Sequence, residues 1–122
     1  MSYKILFQKV YDMVKWVYPT VSKFPRNHRA VLSQRIEITS IRILEMVIDF
    51  AEKDTKSNRK KILNDIHKLQ ILLRFCKDLS ILKFRQYEYS SSLLTEISEL
   101  VKVETENSKR GGVGNGLHKF VQ

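Results

Sequence analysis

One cysteine, two prolines and four glycines are all that this 122-residue chain has of the residues that staple, kink or loosen a backbone. The lone thiol, Cys76, excludes an intramolecular disulfide and a Cys-x-x-Cys metal site, and it predicts a reducing compartment. Its mostly apolar neighbours mark it as a packed core thiol rather than a nucleophile. No segment approaches the roughly 20 apolar residues that a membrane span requires. The opening Met-Ser-Tyr-Lys-Ile-Leu-Phe also lacks the apolar run and small-residue cleavage site of a secretory signal, so a cytoplasmic protein is expected. Catalytic motifs are equally scarce. There is no His-Glu-x-x-His, and His28, His67 and His118 lie in three separate segments. The glycines gather at 111–116, at the end of a helical pattern, and not between a strand and a helix as a phosphate-cradling loop would need. These absences predict a non-enzyme that uses no metal or cofactor.

Positive charge is abundant. Twenty-two Lys and Arg face thirteen Asp and Glu, a formal net charge of +9. The excess is uneven: residues 1–30 and 55–85 are strongly basic, whereas 31–54 and 86–106 are acidic on balance. Charge concentrated in two segments suits a polyanionic partner better than it suits solubility alone.

The chain length allows one domain with a real core. Hydrophobic periodicity predicts four helices and no strand, an all-α antiparallel four-helix bundle over 1–106. The first helix, about 3–22, carries Leu6, Val10, Met13, Val17 and Val21 on one face, with Pro19 placed to loosen its last turn. Phe24-Pro25 makes a turn into the second helix, about 27–53. Its stripe is Leu32, Ile36, Thr39, Ile43, Val47 and Phe50. The third helix, about 58–80, buries Ile62, Leu63, Ile66, Leu69, Leu72, Leu73 and Cys76. The fourth, about 83–104, uses Tyr87, Leu94, Ile97 and Val101. Residues 107–122 hold every glycine and predict a flexible basic tail.

Two helices are apolar on more than one face. Ile38, Ile41 and Ile48 on the second, and Ile71 and Phe75 on the third, fall off the core stripes. A bundle helix normally shows a single apolar face, so these five residues predict a subunit interface. The basic residues are placed to meet phosphates: Arg26 and Arg29 open the second helix, and Arg59, Lys60 and Lys61 open the third. Lys68, Arg74 and Lys77 follow along it, and Lys83 and Arg85 begin the fourth. Such contacts bind nucleic acid with steep salt dependence and little sequence selectivity. Arg35 and Arg42, by their spacing from Glu45 and Asp49, read as interface or intrahelical pairs. Two other classes fit the composition: a bundle that merely assembles, and a nuclease built on scattered carboxylates.

Several segments carry a family likeness. Tyr18-Pro19-Thr20 with Lys23-Phe24-Pro25, Leu32-Ser33-Gln34-Arg35-Ile36-Glu37 and Leu44-Glu45-Met46-Val47-Ile48 occur in order. They are followed by Leu69 to Leu79, ending Arg74-Phe75-Cys76-Lys77-Asp78-Leu79, and by Lys83-Phe84-Arg85-Gln86-Tyr87-Glu88. Over about residues 5–103 the chain resembles the accessory variability determinant (Avd) proteins of diversity-generating retroelements. That resemblance implies a homopentameric, barrel-like ring of four-helix bundles. It also implies association with the element's reverse transcriptase and with template RNA or cDNA, in support of error-prone, adenine-directed cDNA synthesis. The alternative is the related family encoded in ribosomal RNA intervening sequences, RNA-associated or purely structural oligomers. Its members carry an Ile-Pro-x-Asn-Ile-Ala-Glu-Gly stretch, and the corresponding Ser40 to Val47 here has neither the proline nor the glycine.

Overall fold

A computed structural model of the protein describes residues 3–111, with side chains described through residue 103. Four helical runs make an up-down-up-down bundle. The first, α1 (Tyr3–Ser22), turns Tyr3, Leu6, Val10, Met13, Val17 and Val21 inward. Pro19 has no N–H to give the Lys15 carbonyl, but it lies so near the end that the helix still runs to Ser22. The Thr20 hydroxyl donates to the Trp16 carbonyl at 2.6 Å in the same turn.

The second run, α2 (26–52), is not one uniform helix. A single α-turn at Arg26–His28, entered from an extended Pro25, widens into a π-helical turn over Arg29–Ser33. Regular α-helix then continues over Gln34–Glu52. The widened turn coincides with a long-range bond: the buried Ser33 hydroxyl donates to the Val21 carbonyl at 2.6 Å, an acceptor in the last turn of α1. A terminal carbonyl that α1 cannot satisfy internally thereby gains a donor.

The third, α3 (Lys56–Asp78), is capped by Thr55, whose Oγ1 accepts the Asn58 N–H at 3.0 Å. It stops in a left-handed residue, Ser80, with φ of 63°. The Ile81 N–H reaches the Cys76 carbonyl and the Ser80 N–H the Lys77 carbonyl, both at 2.9 Å. This is the Schellman closure, and serine here occupies the position that glycine usually fills. After residues 79–83, α4 (Phe84–Gly111) begins, with the Lys83 N–H held by Gln86 Oε1 at 3.0 Å. Its backbone extends beyond Glu104, where the apolar pattern stops; the predicted flexible tail lies, from residue 112 on, outside the described residues.

Each helix packs on its chain neighbour, and α4 returns against α1, so the four axes close a square. The short turns force antiparallel neighbours. Every residue of the predicted main stripes of α1 and α2 is buried, as are Ile62, Ile66, Leu69, Leu73 and Cys76 of α3 and Leu94, Ile97 and Val101 of α4. Leu63, Leu72 and Tyr87 pack at its edge, partly buried. No helix among the described residues is long and apolar enough to cross a membrane.

Candidate nucleic-acid and partner-binding surface

The up-down topology places the α1–α2 turn and the α3–α4 turn at the same end of the bundle. Arg26 and Arg29 open α2 there, Arg74 and Lys77 close α3, and Lys83 and Arg85 flank the start of α4. Six of the ten predicted binding cations thus converge on one end, joined by Lys23. In residues 23–29 and 74–85 the only carboxylate is Asp78. It lies 3.9 Å from Arg74 and 3.2 Å from Lys77. Lys77 is half-buried, with its ammonium 4.9 Å from the centre of the Tyr87 ring, and in the last turn of α3 it also complements the negative helix end. Arg29 is exposed, but its Nε donates to the Phe24 carbonyl at 3.0 Å, which fixes the side chain over the turn. Arg26, Lys83 and Arg85 are exposed.

The other four separate from this end. Lys60 and Lys61 are exposed at the opposite end, where α3 begins, and Lys68 lies midway along α3. Arg59 does not belong to the surface at all. It is 5% exposed, its Nη1 pairs with Asp54, and its guanidinium lies 5.9 Å from the centre of the Phe50 ring. The Tyr3 hydroxyl donates to the other oxygen of the same carboxylate. The sequence pattern groups Arg59 with Lys60 and Lys61. Its helical position, however, turns it toward the bundle, where it closes the α2–α3 turn from within.

Arg42 also differs from expectation. Its Nε donates to Asp65 on α3, and the partner is neither Glu45 nor Asp49 on its own helix. Lys68 Nζ lies 3.9 Å from the second oxygen of this buried carboxylate. Periodicity within one helix carries no information on which residue of the next helix stands at the same height.

The five predicted interface residues are all exposed: Ile38, Ile41, Ile48, Ile71 and Phe75 range from 37% to 54%. Ile38, Ile41 and Ile48 lie on α2, and Ile71 and Phe75 on α3. Ile48 lines an open groove of about 450 Å³ with Tyr3, Phe7, Val47 and Ala51, on the α1 side. Ile71 lines a separate cleft on the α3 side. The structure adds Val31, Leu79 and Phe84 as exposed apolar residues at the basic end, Val31 at 70% and Phe84 at 62%. Their sequence signal is their place off the core stripe, which for Phe84 was legible and for the other two is clear only beside the neighbouring cations.

Among the described residues no three His, Cys, Asp or Glu side chains gather where a metal could bind. Burial pushes the Cys76 thiol up to about 11, away from the thiolate that a nucleophile requires.

A family model described as bAvd-like matches residues 4–103, the whole bundle through the last described side chain. No curated protein matches the chain.

Proposed function

Since the chain belongs to the bAvd-like family, we propose that it binds the reverse transcriptase of a diversity-generating retroelement, and its template RNA or cDNA, through the basic end of the bundle. The Avd family is one of accessory, non-catalytic proteins of such elements. Polymerase chemistry then belongs to the partner, and this chain contributes charge, shape and assembly toward mutagenic cDNA synthesis. The observation that carries the proposal is the convergence of Arg26, Arg29, Arg74, Lys77, Lys83 and Arg85 on one end with Asp78 as the only carboxylate in those turns. Such a field attracts phosphates without reading bases.

Assembly is part of the same proposal. Ile48 lies in the groove between α1 and α2, and Ile71 in the cleft between α2 and α3. Two unlike patches favour head-to-tail contact between copies, and head-to-tail contact closes into a ring when the rotation fits. A homopentamer with Ile38, Ile41, Ile48, Ile71 and Phe75 in its seams would repeat the basic end around a rim.

The test pairs two measurements. Wild type and a Lys83→Glu/Arg85→Glu variant are used to capture the cognate reverse transcriptase and to bind labelled RNA and DNA, while light scattering gives the mass of each. Loss of capture with retained mass supports the surface. Equal capture by both proteins overturns it. An Ile48→Asp/Ile71→Asp variant that keeps the wild-type mass overturns the seams.

A further inference from the structure

The cleft between α2 and α3 gathers charge that the basic end does not account for. It encloses about 400 Å³ and is lined by Arg35, Thr39, Arg42, Lys68, Ile71 and Leu72. Three cations from two helices therefore surround one concave space. Among the described residues Asp65 is the only carboxylate paired with any of them, and it is buried with its oxygens taken by Arg42 and Lys68. Arg35 has no ion-pair partner among the described side chains. One buried negative charge against three positive ones leaves the cleft with an excess of two, a repulsive arrangement that a bound anion relieves.

The geometry is also pre-organised. Asp65 fixes the Arg42 guanidinium through Nε, which leaves its terminal N–H groups to face the cleft or solvent. Lys68 lies 3.9 Å from the same carboxylate, and Arg35 is exposed at the cleft's edge. The remaining walls, Ile71 and Leu72, are apolar, and Leu72 offers a surface for a sugar or a base. Concave space, apolar walls and a few convergent charged groups are the attributes of a small-ligand pocket rather than of a solvated face.

We infer that this cleft is a phosphate site that takes one nucleotide unit, with Arg35, Arg42 and Lys68 on the phosphate oxygens and Leu72 against the nucleoside, while Ile71 on its rim stays in the seam between copies. The inference rests on the proposed nucleic-acid binding for its source of phosphate, a strand that reaches this cleft. Free nucleotide would present the same chemistry.

The experiment uses the full chain and an Arg35→Gln/Lys68→Gln variant. Both side chains are exposed and neither supports the core, so the variant folds; Arg42 is left intact because its removal would strand Asp65. A Lys15→Gln/Lys102→Gln variant, equal in charge loss, is the control. Binding of a labelled single-stranded RNA of about 20 nucleotides is followed by anisotropy across a salt series. If each lost cation releases one phosphate contact, the log–log salt slope of the cleft variant falls by about 1.4 while the control keeps the wild-type slope. A second arm follows thermal melting with AMP. A rise in wild type and control, absent in the cleft variant, with unchanged strand slopes, supports the same site and assigns it to free nucleotide. The cleft variant behaving as the control in both arms overturns the inference. Failure of wild type to bind any strand at low salt defeats the proposed nucleic-acid function instead, and the AMP arm alone then decides the cleft.

Discussion

Replacing Arg59 by methionine separates a structural cation from a binding one. The arginine sits at 5% exposure against Asp54, whose side chain is 1% exposed, with the Tyr3 hydroxyl on the second carboxylate oxygen. Removing the guanidinium leaves a buried carboxylate with its charge uncompensated. Breaking a buried pair on one side costs about 3–5 kcal/mol, because the stranded charge keeps its desolvation penalty and loses its partner. A domain of this size loses a few degrees of melting temperature per kcal/mol, so Arg59→Met should melt about 10–20 °C below wild type. The double variant Asp54→Asn/Arg59→Met removes both charges together and should recover most of that loss, since an ion pair exchanged for uncharged groups of similar volume is often close to neutral. Thermal melts followed by circular dichroism give both values. The double variant, once folded, should bind nucleic acid with the wild-type salt slope. The reasoning is refuted if Arg59→Met is as stable as wild type, or if its salt slope falls by about 0.7, the signature of a lost phosphate contact.

Two further outcomes follow from the interior and the α3–α4 turn. Cys76, with its thiol pushed from 9.0 to about 11, should be inert to iodoacetamide near neutral pH in the folded protein and react on unfolding. Its folded pKa is raised, so between about pH 9 and 11 the folded state holds more protons than the unfolded one, and stability falls as pH rises through that window. Cys76→Ala should lose this part of the alkaline decline, read as a shallower fall in denaturation midpoint than wild type over the same window. Ser80→Gly should raise stability by about 0.5–1 kcal/mol, because glycine meets the φ of 63° without the Cβ penalty and gives back part of that gain as unfolded-state entropy; an unchanged or lowered midpoint would show that the turn carries no such strain.

Helix count, class and core were legible because a 3.6-residue period is a property of each helix alone. Leu6 to Val21, Ile36 to Phe50 and Ile62 to Cys76 declare their buried faces without reference to any neighbour. So do the residues that break the pattern: Ile38, Ile41, Ile48, Ile71 and Phe75 are exposed because no place on a core stripe is left for them. Clustering at the basic end was legible for Arg74, Lys77, Lys83 and Arg85, since a short turn makes adjacent helices antiparallel. Arg26 and Arg29 join them only once the first and third turns are known to share an end.

Scarce punctuation and surplus charge were decided by sequence alone: few glycines and prolines permit long helices, and +9 demands an anionic partner or a solvated face. What each charge does was decided by tertiary structure. Arg59 and Lys60 are adjacent in sequence, yet one closes a turn inside the bundle and the other stands in solvent. Arg42 has acidic neighbours on its own helix, yet pairs with Asp65 on the next. The π-helical turn over Arg29–Ser33 coincides with the bond from Ser33 to Val21, twelve residues away. The physical reason is the same in all three cases. Periodicity sets the direction of a side chain on its own helix, whereas burial, pairing and strain depend on the register between helices, which exists only after they pack.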